Sequence, residues 1–354
     1  MISKRKITSK LRTTRKKQGS VTLQQIANEV GVSTATVSRV LNSPDRVKQN
    51  TRNKILQVIH DRNYISDARA ASLASQHSQT IGLLIPTILN SIYASFTQAI
   101  QKICQDAGYT VLIGITDYSE STEFDLVTRL LERRIDGLIL TGVERDSKIY
   151  DRIQHMHVPF ITTWRSSQYK EIPSFSFSNY AAATKAVEYL IELGHHRIGF
   201  ICGKTDHNDR ARERKRAYLD VLKHHNLQVD SDLMQECNFD FTEGQLAMVQ
   251  ILEKHPTVTA VFCANDIQAV GAIHACRDCG YMVPKDISII GFDDHPITEH
   301  VTPQLTTIRV PAHEMGDLSA KSLIKTITHK ELPQSAILDT QLVIRGSTQL
   351  IRSS

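Results

Sequence analysis

The sequence of 354 residues lacks any apolar run that approaches the roughly 20 residues needed to cross a bilayer. No apolar core follows the basic N-terminus, so we do not expect a secretory signal peptide. The chain also lacks a P-loop, a G-x-S-x-G elbow and a G-x-G-x-x-G fingerprint, which disfavours several common classes of enzyme. These absences favour a cytoplasmic protein that does not act on a membrane.

Cysteine is present six times but without a disulfide framework, so we expect free thiols. Cys276 and Cys279 are three residues apart and close to His274, a spacing that could indicate a redox pair or a metal site. No second ligand pair follows at zinc-site spacing. We favour small packed residues on one helical face, and we expect neither a metal nor a cofactor.

Charge is distributed unevenly along the chain. Residues 1–80 contain 15 Lys and Arg but only 4 Asp and Glu, whereas the remainder contains 27 and 33. A basic end on an acidic body indicates a polyanionic partner for that end alone. Residues 1–20 contain eight basic residues and no apolar periodicity, which predicts a disordered tail. The length suggests two or three domains.

Residues 21–42 predict two short helices that meet at Gly31, which can adopt positive φ without strain. Thr22 and Gln25 can form a capping box at the start of the first helix. The second helix, over residues 34–41, leaves short polar side chains and one arginine outside. This is the layout of a helix-turn-helix, whose second helix lies in the DNA major groove. An ordinary helical hairpin is the alternative.

The polar residues of this segment predict base and phosphate contacts. We expect Arg39 to contact a guanine edge and Ala35 to contact thymine methyl groups. A third helix is predicted over residues 47–63, and Lys48 and Thr51 would meet a phosphate near its start. The predicted DNA-binding residues of these helices are Thr22, Thr34, Ala35, Thr36, Ser38, Arg39, Asn42, Lys48 and Thr51.

The motif V-T-L-x-x-I-A-x-x-x-G-V-S-x-x-T-V-S-R-V-L-N of residues 21–42 resembles the start of the lactose/galactose repressor family. The resemblance implies a hinge helix within residues 67–79, which folds when two copies meet on operator DNA. Leu73 matches the leucine that wedges into the minor groove. Ser66 stands where the family usually has proline, which leaves the hinge more flexible. A plain linker is the alternative, because so short a helix is marginal in water.

From residue 80, short apolar runs alternate with helical patterns, which predicts doubly wound α/β sheets. The region resembles periplasmic sugar-binding proteins, in which two lobes close around a ligand. The resemblance implies crossings between the lobes near Ser178, Thr307 and Asp339. The predicted parts are a tail (1–20), a helix-turn-helix domain (21–66), a hinge (67–79) and a core (80–354), with a first lobe of 80–177 and 308–338 and a second of 178–307 and 339–354.

Polar and aromatic residues follow several of the predicted strands, where ligands bind in open α/β sheets. The motifs A-N-D-x-x-A-x-G-A and G-F-D-D match the family, which implies that Asn265 and Asp293 contact an effector. By the same resemblance Arg214 would hold the ligand and Phe239 would stack on it. The predicted effector-binding residues are Asn90, Tyr93, Trp164, Arg214, Phe239, Asn265 and Asp293.

Two features of this set bear on the chemistry of the effector. Trp164 stands where several relatives have aspartate, and arginines cluster after residue 209. Together they favour an anionic ligand such as a sugar acid. The broader class of expected effectors comprises sugars, sugar acids and sugar phosphates. In the alternative interpretation the arginines form a solvated helix face, and Asp266 and Asp294 only cap helices.

These observations predict a transcription regulator, most simply a repressor of a carbohydrate operon in a bacterium. It would bind a pseudo-palindromic operator as a homodimer, because one such domain contacts too few base pairs for specificity. Effector binding would close the lobes and change operator affinity by linkage. Two alternatives stay open: a sugar-processing enzyme fused to a DNA-binding domain, and a DNA-binding protein without a ligand.

Overall fold

The computed structural model describes residues 21–42, 44–64, 77–90, 92–166 and 172–351. The chain divides into two compact units after Ser78. The predicted tail, Ser66 and Leu73 lie outside the described residues.

The first unit consists of three helices, α1 (Leu23–Val30), α2 (Thr34–Asn42) and α3 (Gln49–Asp61), with a 3-10 turn at Pro44–Arg46. Thr22 and Gln25 form the predicted capping box, and Gly31 ends α1 with a φ of 73°. Helix α3 is shorter than the predicted 47–63, because Lys48 lies at its N-cap position with extended ψ and Arg62 follows its end.

A small apolar core holds these helices together. Ile26, Val37 and Ile55, one from each helix, are completely buried. Arg62 donates two hydrogen bonds to Glu29, at 3.1 and 3.2 Å, and so joins the end of α3 to α1. The surface of α2 that faces away from this core is therefore presented on a fixed scaffold.

The second unit alternates strands and helices as the sequence predicts. Its strands in chain order are β1 (Thr80–Ile85), β2 (Thr110–Ile115), β3 (Gly137–Thr141), β4 (Phe160–Thr163), β5 (Ser174–Ser176), β6 (Ile198–Gly203), β7 (Met234–Cys237), β8 (Ala260–Cys263), β9 (Ser288–Asp293), β10 (Thr306–Arg309), β11 (Ala336–Ile337) and β12 (Gln341–Val343). Its helices are α4 (Ile92–Asp106), α5 (Glu120–Glu132), α6 (Ser147–His155), α7 (Asn179–Glu192), α8 (Asp209–His224), α9 (Phe241–Lys254), α10 (Asp266–Asp278) and α11 (Ala312–His329).

The strands form two sheets, ordered β11-β5-β4-β3-β1-β2 and β12-β10-β9-β8-β6-β7. Neighbouring strands are parallel except β12, which runs antiparallel to β10. Each sheet is the centre of one lobe. The chain passes from the first lobe to the second between β5 and α7, returns after β10, and crosses again between β11 and β12.

One predicted boundary between the lobes is wrong by two residues. Ile308 and Arg309 were placed in the first lobe, but they belong to β10, where they pair with Phe292 and Asp293 of the second sheet. Ile308 is completely buried there, so the chain remains part of the second sheet as far as Arg309. The first lobe therefore resumes only at Val310.

Two glycines allow close packing of α9 against α10 in the second lobe. A Cβ on Gly244 would lie 2.7 Å from Gln268 Cα, and one on Gly271 would overlap the Phe241 carbonyl oxygen. This contact fixes the start of α10, and Asn265 lies at its N-cap position. Within the described residues, every helix is too short or too polar to cross a membrane.

Candidate nucleic-acid interface and interlobe cleft

Helix α2 presents the predicted base-contacting residues away from the core of the first unit. Ala35 and Arg39 are exposed, and Thr34 and Ser38 are half-buried. Arg39 is therefore accessible to a partner, and its guanidinium group can donate two parallel hydrogen bonds to a guanine.

Other predicted DNA contacts already have structural roles. The Thr36 hydroxyl lies 2.9 Å from Ser33 Oγ, and Thr22 Oγ1 accepts a hydrogen bond from the Gln25 backbone in the capping box. Lys48 is exposed at the start of α3 and Thr51 is half-buried beside it. The side chain of Asn42 lies outside the described residues.

The carboxyl ends of both sheets enclose a cleft between the lobes, as the strand-end rule predicts. Its cavity has a volume of about 20 Å³, which is room for about one water molecule. Six of the seven predicted effector residues line it, namely Asn90, Tyr93, Trp164, Arg214, Phe239 and Asp293. The seventh, Asn265, is completely buried and donates a 2.6 Å hydrogen bond to Asp293 Oδ2.

Asp293 and Arg214 form a buried pair of opposite charges in the second lobe. Arg214 Nη2 lies 4.0 Å from Asp293 Oδ1, and Arg214 donates to Asn179 and to the Ala264 carbonyl at 2.9 and 2.6 Å. Burial raises the pKa of Asp293 to about 6, against the opposing effects of Arg214 and of hydrogen bonds from Asn90 and Asn265. Burial likewise lowers the pKa of Arg214.

A second buried pair, Arg210 and Asp209, lies at the start of α8. Their side chains are 2.7 Å apart, and Arg210 lines the cavity. Burial opposes the charge on Arg210, but the Asp209 carboxylate raises its pKa overall. The sequence reasoning placed Arg210 in the arginine cluster but not among the predicted effector residues, although its spacing of four from Arg214 places both on one helical face.

Aromatic side chains close the cleft from both lobes. Tyr118 follows β2 and stacks on Phe239 of the second lobe, with ring centroids 5.8 Å apart. Tyr118 was also missed, although it follows a predicted strand. Burial raises the pKa of Tyr118 and of its neighbour Tyr93, so both phenols stay protonated at neutral pH.

Trp164 is 1% exposed and lies against other rings of the first lobe. Its ring centroid is 4.9 Å from that of Tyr93, 5.4 Å from Phe96 and 6.2 Å from Phe177. The indole therefore forms the wall between the cleft and the lobe interior.

Polar contacts at the edge of the cleft tie the two lobes together. Asp209 Oδ2 accepts hydrogen bonds from the backbone amides of Val143 and Glu144, at 3.0 and 3.4 Å. Glu144 also contacts Arg212, and Arg165 Nη2 lies 3.5 Å from Glu213 Oε1. These contacts join loops of the first lobe to α8 of the second.

Neither Asp266 nor Asp294 is the helix cap considered as an alternative. Asp266 lies inside α10 and accepts hydrogen bonds from Thr307 Oγ1 and His295 N, at 2.5 and 2.7 Å. Asp294 pairs with Arg309 and Arg345 at 2.6 and 2.8 Å. Both carboxylates hold strands and loops of the second lobe in place.

The Cys276 thiol is completely buried in α10, whereas Cys279 is exposed. Burial raises the pKa of Cys276 to about 12, which disfavours its thiolate at neutral pH. The geometry favours a packing role for Cys276.

Comparisons with known proteins agree with both units. Residues 22–67 match the family described as bacterial regulatory proteins, lacI family, and residues 187–348 match a periplasmic binding protein-like domain. The transcriptional repressor CytR of Escherichia coli is 31% identical over 338 residues, which is 95% of this chain and 99% of CytR.

Solved structures give the same result. The lac repressor dimer bound to operator and the anti-inducer ONPF has a TM-score of 0.82 at 28% identity, over 94% of this chain and 100% of that one. The transcriptional regulator CelR in complex with cellobiose has a TM-score of 0.69 at 26% identity, over 92% of this chain and 99% of that one. The fold, the cleft and these matches place the chain in the lacI family of bacterial regulatory proteins, as a DNA-binding transcription regulator.

Proposed function

We propose that this regulator represses genes of carbohydrate metabolism in the bacterial cytoplasm, and that a small polar effector sets its affinity for operator DNA. The effector belongs to the class of sugars and sugar derivatives. The observation that carries the proposal is the cleft, where buried charged pairs from α8 and the end of β9 lie beside aromatic rings of both lobes. Such a combination suits ligands with both hydroxyl groups and apolar ring faces.

The DNA-binding half of the proposal rests on α2. Arg39 and Ala35 are exposed on a helix that the capping box and a buried core hold in place. Thr34 and Ser38 complete the proposed surface, with Lys48 and Thr51 at phosphates. Thr22 and Thr36 contribute through helix geometry, since their hydroxyls are engaged in caps.

The chain is proposed to act as a homodimer. The related lac repressor structure is a dimer on its operator, and this chain exposes an apolar surface on the first lobe. That surface contains Ile88 and Leu89 after β1, and Ile113 and Ile115 on the edge strand β2. An edge strand that exposes isoleucines is prone to pair with other chains unless it is covered.

The core is proposed to act by binding rather than by catalysis. Its buried carboxylates are engaged with arginines, amides or hydroxyls, and closure of the lobes is the event that transmits binding. Separation of the lobes must precede effector entry, because the cavity of about 20 Å³ is far smaller than a sugar.

The test begins with selection of binding sites from a randomised DNA duplex pool. We expect a motif with two-fold symmetry, bound by two chains. Affinity for that motif is then measured by fluorescence anisotropy with D-glucose, D-ribose, cellobiose, D-gluconate and D-glucuronate. At least one is expected to change the affinity fivefold or more. An asymmetric motif, or DNA affinity that no compound alters, would contradict the proposal.

A further inference from the structure

Charged side chains from both lobes meet at the edge of the interlobe cleft. Glu144 and Arg165 follow β3 and β4 of the first lobe, whereas Arg212 and Glu213 lie on α8 of the second. Glu144 contacts Arg212, and Arg165 Nη2 lies 3.5 Å from Glu213 Oε1. Each contact joins an acid of one lobe to an arginine of the other, so both contacts break when the lobes separate.

A third contact joins the lobes beside these two, because its residues line the same cavity. His207 Nδ1, in the loop after β6, lies 3.0 Å from Glu120 Oε1 at the start of α5. Both side chains are about half-exposed, as is Glu144, and Arg212 is 39% exposed. Dissolved salt can therefore screen these contacts.

The two lobes approach one another closely next to this edge. Gly142 of the first lobe has a φ of 78°, and a Cβ there would lie 2.5 Å from Arg210 Nη1 of the second. The cavity between the lobes has a volume of about 20 Å³, room for about one water molecule. A conformation this tight cannot contain a sugar, so contacts within the protein must hold it closed.

The other contacts across the cleft respond less to salt. Asp209 is 3% exposed and accepts hydrogen bonds from the backbone amides of Val143 and Glu144. Tyr118 stacks on Phe239. Screening acts much less on buried groups than on exposed charges. An exposed ion pair shifts an equilibrium by only about twofold to fivefold, so the exposed contacts adjust the opening of the lobes without fixing it.

We infer that the three exposed contacts form a salt-sensitive latch between the lobes, and that this latch controls the access of small molecules to the cleft. When the ionic strength rises, the latch weakens and the lobes are apart for a larger fraction of the time. The latch adds regulation to the proposed effector-responsive function. Its test needs no effector, so either proposal can fail without the other.

Trp164 is the only tryptophan of the chain and is 1% exposed on the cavity wall, so quenching of its fluorescence by acrylamide measures access to the cleft. Acrylamide is small and uncharged. For the full-length protein, a rise from about 0.1 M to about 1 M potassium chloride shortens the Debye length from about 10 Å to about 3 Å. We expect this rise to increase the quenching constant at least about twofold.

Substitutions in the latch should have the same effect without added salt. Arg212→Gln and Glu144→Gln should each raise the quenching constant about twofold to fivefold at the lower salt concentration. The double variant should raise it no further, because both substitutions remove the same contact. The response to salt should be smaller in all three variants than in the parent.

The matched control is Asp317→Asn, which removes a 2.7 Å ion pair with Lys321 inside one helix of the first lobe. It should be quenched like the parent at both salt concentrations. Hydrogen exchange separates opening of the lobes from loosening of the fold. At the higher salt concentration the Val143 and Glu144 amides should exchange faster, whereas amides within β1 should not change.

Two results would show that no such latch exists: Arg212→Gln is quenched like the parent, or salt leaves quenching of the parent unchanged. An equal increase for Asp317→Asn would show that exposed ion pairs act on the whole fold rather than between the lobes. Faster exchange throughout β1 would overturn the inference for the same reason.

Discussion

Asp209 of the second lobe accepts a 3.0 Å hydrogen bond from the backbone amide of Val143 in the first. The same carboxylate neutralises the buried Arg210, so one side chain stabilises the charge of the cleft and the apposition of the lobes. The apposition of the lobes and the electrostatics of the cleft are thereby coupled through a single group.

Replacement of Asp209 should reveal this double role. Asp209→Ala leaves Arg210 buried without its counter-charge, which is expected to cost about 3–5 kcal/mol in the free energy of unfolding. It should also accelerate hydrogen exchange at the Val143 amide. Urea denaturation and exchange measurements test these outcomes. Asp317→Ala, which removes an ion pair with Lys321 along one helix, is the control and should cost under about 0.5 kcal/mol. Equal losses in the free energy of unfolding for the two variants would contradict the double role of Asp209.

Stability should depend on pH through Asp293. Its pKa is raised from 3.8 to about 6 in the folded protein, so folding favours the protonated form. The parent therefore gains stability as pH falls from about 7 towards 4. Asp293→Asn removes this titration and also the counter-charge of the buried Arg214, so the pH dependence is the quantity compared. Relative to the parent, the variant should lose stability as pH falls from 7.5 towards 4.

The adjacent Asp294 provides a control with the opposite sign. Although burial opposes its charge, hydrogen bonds from Arg309 and Arg345 lower the pKa of this carboxyl overall. Its contribution to stability is therefore present at neutral pH and is lost as pH falls through the lowered folded-state pKa. Asp294→Asn should destabilise the protein at pH 7.5. Thermal unfolding of both variants across pH 4–8 checks the prediction, and shifts of the same sign would refute it.

Much of the interlobe cleft was predictable because parallel sheets place strand ends together. Asn90, Trp164 and Asp293 were found by that rule, which needs only the apolar runs and the residues after them. Tyr118 was missed although it follows β2 equally closely. Tyr118 is recognised as a cleft residue only by its contact with Phe239 across the cleft. No local sequence pattern shows how the two lobes face each other.

The fold shows the same division between local and long-range information. Apolar runs predicted β1, β4 and β8 well, whereas β5, β11 and β12 are too short to form an apolar run and depend on their neighbours in the sheet. Helix α11 was also missed, since its buried face consists largely of small or polar residues such as Gly316 and Ser319. Only the close packing of α11 on α4, where a Cβ on Gly316 would lie 2.5 Å from the Phe96 carbonyl oxygen, explains that composition.

Base and phosphate contacts should respond differently to mutation. Arg39→Ala is expected to relax discrimination at one base pair by about 1–3 kcal/mol, because a bidentate contact to guanine is lost. Lys48→Ala should instead weaken binding to all sequences alike. It should also reduce the slope of log K against log salt concentration by about 1. Anisotropy titrations on the selected site, on single-base variants and at several salt concentrations separate these effects. If Arg39→Ala weakens binding to all sequences equally, Arg39 contacts phosphate and not a base.

Dimer formation should depend on the apolar surface of the first lobe. Ile113 and Ile115 on the edge strand β2 are 49% and 42% exposed. Leu89, which follows the neighbouring strand β1, is 79% exposed. Ile113→Glu places a charge where a second copy would bury apolar surface, so the dimer dissociation constant should rise at least tenfold. Leu332→Glu, at a residue 89% exposed and outside this surface, should leave it unchanged. Analytical ultracentrifugation measures both variants, and operator affinity of Ile113→Glu should fall in parallel, because each operator half requires its own α2. If Ile113→Glu stays dimeric, another face joins the two copies.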